Sequence, residues 1–270
     1  MTNLDLLQFC NEYLKVEKFS FDPSFNGLQV EGKEDIRTVA TAVCASLDEI
    51  EFAQKLGVDA LIVHHGLFWQ GQDPKICASR YQRVKALIDS GINLYAYHLP
   101  LDAHEKIGNN VSLASLIQGK EISFIDDGSK VPLCVSCYLP SAQSLEIILH
   151  SLSSFENLGI SRIETIISDS AKYRLSRREF AKIAICSGSG SSLLSDNTYP
   201  DFDILITGDL KEQTYHLAQD YGVAVFALGH HASENIGVMS LGKVIEATLQ
   251  LNVKHICIDA TESSKIIGTV

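Results

Sequence analysis

One pattern constrains the fold of this chain more than any other. A unit of strand, small-residue turn, helix, aspartate, apolar strand and polar tip occurs twice, as "VATAVCASLDEIEFAQKLGVDALIVHHG" at 39–66 and "AKIAICSGSGSSLLSDNTYPDFDILITGD" at 181–209. Each copy leads to a second matched stretch, "SGINLYAYHLPLD" at 90–102 and "YGVAVFALGHHASE" at 221–234. There a glycine ends a helix, an apolar strand follows, and histidine and a carboxylate stand at the strand's exit. Short β-branched runs at 38–44, 59–63, 93–97, 131–138, 181–186, 203–207, 223–228 and 254–258 alternate with helical periodicity at 3–15, 47–56, 79–90, 142–153, 209–221 and 236–249. Strands alternating with helices predict α/β layers, with helices packed on mostly parallel or mixed sheets. The repeat predicts two related halves, 1–128 and 129–270, divided at the polar "DDGSK". The basic connector "SAKYRLSRREF" at 170–180 is expected to be a mobile loop.

Composition narrows the function classes. The 270 residues suffice for a sizeable core in two domains. A formal net charge of −11 argues against broad nucleic-acid binding and against anionic membranes, so an anionic substrate would need a local positive centre such as a metal. The apolar runs fall far short of the roughly 20 residues that span a bilayer. The first residues, "MTNLDLLQFCNEYL", carry Asp5 and Glu12 where a signal peptide is basic and then apolar, which predicts an amphipathic helix in a cytoplasmic protein. Seven scattered cysteines read mostly as buried thiols. Cys134 and Cys137, three apart on a strand, point to opposite faces and read as core rather than as a zinc or redox pair.

Loops gather at the carboxyl ends of parallel strands, and three polar clusters fall there. They are His64-His65 after "ALIV", His98 and Asp102 in "YHLPLDAH", and His230, His231 and Glu234 in "GHHASE". Singly, each has a structural reading: a strand-end histidine can be a hydrogen-bonded core residue, Asp102 a helix cap, and His230 with Glu234 an i,i+4 surface pair. Together they hold five of the nine histidines and two carboxylates at equivalent exits, and so many ionisable groups bundled without a cation would carry a heavy desolvation cost. Imidazole plus carboxylate without thiolate suits Zn, Mn, Fe or Ni, and the number of donors suggests two ions. His64 and His65 are therefore expected to bind metal, with Gly66 letting the chain turn after them and Pro100 excluding a regular helix between 98 and 102 and giving a turn that can fold Asp102 back beside His98. His231 points elsewhere, to substrate or to the groups that support the ligands.

Other features carry two readings each. "CSGSGSS" at 186–192 can cradle an anion at a helix N-terminus or be a tight turn with hydroxyl caps. Asn26 and Gln29 can orient a base or a water, or simply flank a turn. Glu212 and His216 can support the site or pair on a surface, with support favoured. Phe68 and Trp69 can wall a pocket or pack in the core.

The motifs "SFNGLQVEG", "DALIVHHGLFW", "YHLPLDAH", "AICSGSGSSLL", "DILITGDLKEQTYHLA" and "GHHASENIG" occur in this order. Over nearly its whole length the chain thereby resembles the NGG-interacting-factor-like family, known in bacteria as GTP cyclohydrolase 1 type 2, in its short bacterial form. The resemblance implies two similar three-layer α/β/α halves with mixed sheets, a dinuclear metal site between the halves, and a toroidal homohexamer. Carried over by position, the implied metal ligands are His64, His65, Asp102, His230 and Glu234, with His98 beside them as a further candidate. One departure is "TGD" at 207–209 where the family has T-G-E, expected to affect local loop geometry and not metal binding.

Two divalent ions in such a site supply hydroxide at neutral pH. The expected function is a metal-dependent hydrolase acting on a nucleotide-like small molecule, with His98 or His231 shuttling the proton. The competing class is non-enzymatic: metal storage or delivery, or a regulator that uses metal to hold a hexamer together.

Overall fold

The computed structural model describes residues 1–154, 159–160, 162–195 and 199–258; part of the "SDNTYPDFD" linker and everything after Ile258 lie outside these. The chain forms two compact units, Met1–His104 together with the segment beginning at Gly237, and Glu105–Ile236. The expected divide at 128/129 is therefore corrected. "DDGSK" is the connection of a β-hairpin, where the Asp127 carboxylate accepts from the backbone N–H of Ser129, Leu133 and Cys134 at 2.8–3.0 Å.

The first unit contains α1 (Asn3–Leu14), β1 (Gly27–Val30), β2 (Thr38–Cys44), α2 (Leu47–Leu56), β3 (Ala60–His65), α3 (Ala78–Ser90), β4 (Asn93–Ala96) and the single turn α4 (Leu99–Asp102). The second contains α5 (Asn109–Leu116), β5 (Lys120–Phe124), β6 (Val135–Pro140), α6 (Ser144–Ser153), β7 (Glu164–Ile166), α7 (Asp169–Ser176), β8 (Phe180–Cys186), β9 (Ile204–Thr207), α8 (Glu212–Tyr221) and β10 (Ala224–Ala227). Helix α9 (His230–Leu249) begins in the second unit, and β11 (Asn252–His255) belongs to the first.

The first sheet has the order β1-β4-β3-β2-β11, parallel throughout except for antiparallel β1. Its continuous apolar strands are buried on both faces, as a parallel sheet between helices requires. On one face Ala40, Ala42, Leu61, Val63 and Leu94 pack against Ile50 and Ala53 of α2 and Val84 and Leu87 of α3. On the other, the Tyr95 hydroxyl donates to the Asn3 carbonyl of α1 at 2.8 Å, and Gly242 of α9 lies against Thr41 and Val253. Helix α2 starts where Ser46 and Glu49 cap each other's backbone, a capping box that satisfies two N–H groups the helix cannot.

The second sheet is mixed, in the order β5-β6-β8-β9-β10-β7, with β8, β9 and β10 mutually parallel. Ala184, Leu205 and Val225 pack against Leu217 and Ala218 of α8. The parallel trios β2-β3-β4 and β8-β9-β10 realise the repeat, except that a 3-10 turn at Gly190–Leu193 replaces a full helix after β8. That turn is too short for the anion-binding helix N-terminus that "CSGSGSS" suggested.

Two further expectations are revised. The 170–180 connector holds helix α7, capped by Ser168, and is no loop: Arg174 reaches buried Asp203 at 2.7 Å and Arg178 reaches it at 2.8 Å. Its basic side chains answer a buried carboxylate rather than water. Cys137 is a buried thiol, which burial pushes up to about 12, whereas Cys134 is bonded to Cys186 across neighbouring antiparallel strands.

Candidate metal centre

Strand β3 runs on into His64 and His65 after its pairing with β4 ends at Val63↔Ala96, and His98 follows β4 by two residues. Adjacent carboxyl ends thus bring three histidines together, each with a ligand atom within 4.8 Å of the others. His64 is fully buried. Its Nδ1 lies 3.0 Å from the Tyr97 carbonyl, an acceptor, so Nδ1 carries a proton and Nε2 is the ring nitrogen left to serve as a ligand atom. Asp102 Oδ2 lies 3.5 Å from that Nε2.

Asp102 is brought there by α4, a helical turn that Pro100 permits because proline at a first turn removes only an N–H with no partner in the helix. The turn expected at Pro100 is thus a single turn of helix, and it sets Asp102 beside His64. Asp102 caps no following helix; α5 begins at Asn109 with Gly108 before it.

His98 Nδ1 lies 2.8 Å from Asp22 Oδ1. Burial pushes the Asp22 carboxyl up, but the His98 imidazole, the Asn26 amide and the Ser24 N–H outweigh it and hold it below the usual range. Asn26 accepts the His98 N–H at 2.8 Å and donates to Asp22 at 2.9 Å. Gln29 accepts the Leu67 N–H at 2.7 Å and donates to the Phe25 carbonyl at 2.8 Å. Both amides therefore hold the loops that carry the histidines. Gly66 serves space rather than conformation, for a Cβ there would meet Ala96 at 2.6 Å and the Gln29 amide. His65 Nδ1 lies 3.5 Å from Cys44 Sγ.

In the second unit, Gly229 at φ +88° turns the chain out of β10 into α9, whose first turn presents His230 and Glu234, four apart on one face. His230 Nε2 lies 3.3 Å from Glu234 Oε1, and its Nδ1 lies 2.6 Å from Asp209 Oδ2. The Glu234 carboxylate raises the imidazole, burial opposes, and Asp209 adds to the rise, so the group is pushed up to about 9. At neutral pH His230 holds a proton between two carboxylates, a slot of cationic character. The Ser/Gly loop leans on this pair. Gly188, at φ +59°, accepts the Asp209 N–H at 2.8 Å and would place a Cβ 2.5 Å from Glu234 Oε1. His231 is half-buried on the same turn, about 100° around the helix from His230.

The sequence-predicted residues thus form two clusters, His64, His65, His98 and Asp102 in one unit and His230 and Glu234 in the other. Glu212 and His216 are exposed on α8, so the supporting role favoured for them is not what the helix presents. Phe68 and Trp69 are half-buried, with the Trp69 ring 5.0 Å from that of His98. Asp22 and Asp209 were missed as supports. Asp22 hides in the turn-like "FDPSFNG", while Asp209 occupies the repeat position that matches the His64-His65 tip. The "TGD" departure therefore touches His230 directly, contrary to its expected remoteness.

The donor set fits a divalent metal. His64, His98 and His230 each have Nδ1 held by a carbonyl or carboxylate, the outer support that orients a metal-binding imidazole.

A family model described as Duf34/NIF3 (NGG1p interacting factor 3) matches residues 1–263. The chain is 35% identical over 259 residues to a GTP cyclohydrolase 1 type 2 homolog of Pasteurella multocida, covering 96% of this chain and 99% of that one. Among solved structures, protein ybgI, of unknown function, aligns with TM-score 0.80 at 35% identity over 96% of this chain and 98% of its own. TTHA1606 from Thermus thermophilus aligns with TM-score 0.78 at 33% identity, covering 94% of this chain and 97% of its own. On these matches the chain belongs to the Duf34/NIF3 family.

Proposed function

We propose that His64, His65 and Asp102 from the first unit and His230 and Glu234 from the second hold a pair of divalent ions, Zn, Fe, Mn or Ni, and that the protein is a metal-dependent hydrolase of a nucleotide-like small molecule. The observation that carries this reading is the convergence of His64, His65 and His98, whose ligand atoms lie within 4.8 Å of one another while a carbonyl and a carboxylate hold Nδ1 of His64 and His98. The relatives' name, GTP cyclohydrolase 1 type 2 homolog, supports a nucleotide-like substrate. Bound divalent ions would acidify a water molecule and polarise the atom it attacks. The chain's own residues supply the rest. Asp22 keeps His98 oriented with Nε2 available to take up and return a proton, and His231 is the second residue for that role. The family resemblance supports assembly as a homohexamer, which light scattering of the purified protein checks.

The test combines elemental analysis of tag-free protein with turnover of GTP and other nucleotides. Asp102→Asn and Glu234→Gln are each expected to lower kcat by about a hundredfold or more while the fold is kept. Full activity in both variants would refute the mechanism. Ready metal transfer to a chelator without turnover of any nucleotide would favour metal delivery instead.

A further inference from the structure

Beside the three histidines of the first unit lies a groove that metal binding does not use. It has a volume of about 360 Å³, and its lining includes Phe25, Phe68, Trp69, Gln70, Asp73 and Arg80. Phe25 is 53% exposed and lines the groove together with Phe68 and Trp69, so three aromatic side chains stand at one opening. The Trp69 ring stands 5.0 Å from that of His98 and 6.1 Å from that of His65, so whatever fills the groove borders the cluster.

The walls are preset. Ser24 bridges to Trp69, the Phe25 N–H donates to the Phe68 carbonyl at 3.3 Å, and the Gln70 N–H donates to the Pro23 carbonyl at 2.7 Å. The indole N–H is spent on the Gly66 carbonyl at 3.0 Å, which fixes the ring's plane. Arg80 is committed as a strut: its terminal nitrogens donate to the carbonyls of Asp73 and Lys75 and to Gln72 Oε1, and the guanidinium lies 5.8 Å from the Phe68 ring centre. With the terminal nitrogens of Arg80 taken by neutral acceptors and Asp73 paired with Lys75 at 3.1 Å, the chemistry the groove offers is that of its rings. Three aromatic side chains suit a flat, uncharged ring.

We propose that this groove binds the purine-like base of the substrate by stacking against Phe25, Phe68 and Trp69, and so sets an edge of the ring beside His98 and His65. The assignment rests on the nucleotide reading above, but ring binding itself needs no metal.

Trp69 is the one tryptophan in the sequence and reports directly on the groove. Chelator-treated full-length protein is titrated with guanosine 5′-monophosphate, with ribose 5-phosphate as the control that lacks a base. The nucleotide is expected to change Trp69 emission saturably and to shield it from acrylamide, and ribose 5-phosphate to do neither. Phe25→Ala is expected to weaken nucleotide binding about fivefold or more, Phe25→Tyr to restore it, and both to leave zinc uptake unchanged. No saturable response, an equal response to ribose 5-phosphate, or a Trp69 already shielded from acrylamide without nucleotide would each overturn the proposal. Nucleotide binding without turnover after metal is restored supports the groove and counts only against the hydrolase reading.

Discussion

Asp209 shows how much a single carboxylate can decide. It holds His230 Nδ1 at 2.6 Å and accepts the Ser189 hydroxyl at 3.1 Å, so it fixes both the imidazole and the loop that leans on it. Asp209→Asn is expected to weaken metal affinity by about 10- to 100-fold, read by calorimetric titration with zinc, with the circular dichroism unchanged. His230 also predicts a pH response in the metal-free protein. Its folded-state pKa, about 9, lies above the unfolded value near 6.5. The stability it contributes is therefore fully present below about pH 6.5 and is lost as pH rises through about 9. A falling Tm across that window, flattened in Glu234→Gln, is the expected result of thermal melts in chelator. At this scale the sequence displayed the candidate ligands, because histidine and carboxylate clustered at strand exits are visible in one dimension. Their supports were hidden: Asp22 reaches His98 from 76 residues away, and a turn aspartate looks the same whether or not it holds an imidazole.

At the scale of elements, periodicity located the long helices and the central strands, since those are what burial on one or both faces imposes. It failed where burial is slight or tertiary pairing decides. Edge strands β1, β5 and β7 are short and partly exposed, and α7 is polar except for Ala171 and Leu175. Helix α7 persists because Arg174 and Arg178 meet Asp203, whose side chain is wholly buried. Asp203→Asn, leaving Arg174 without its counter-charge, is expected to destabilise the protein by about 3 kcal/mol in denaturant unfolding. Gly188→Ala should act on the loop after β8. The residue's φ of +59° and the approach of Glu234 both oppose a Cβ, so a loss of about 1–3 kcal/mol and weaker zinc uptake are expected together.

For the molecule as a whole, the repeat foretold two α/β halves but not their bounds. Pairing between β11 and β2 is a contact across more than two hundred residues, in register Asn252↔Thr38 to His255↔Thr41, and local sequence carries no mark of it. The Thr41 hydroxyl and His255 Nδ1, 2.9 Å apart and buried, complete the join. Deleting the chain from Gln250 onward is expected to leave β2 with an unpaired edge and to lower Tm sharply or drive the protein into the insoluble fraction, measured against full-length protein by differential scanning and sedimentation.

That return also sets a timetable for synthesis. The Glu105–Ile236 unit is continuous and can close on itself as soon as it clears the ribosome, whereas the outer flank of β2 waits for the last strand. At ordinary elongation speeds that wait is on the order of ten seconds or more, and a bare parallel strand flank is the part of a nascent polypeptide most open to mispairing with its neighbours.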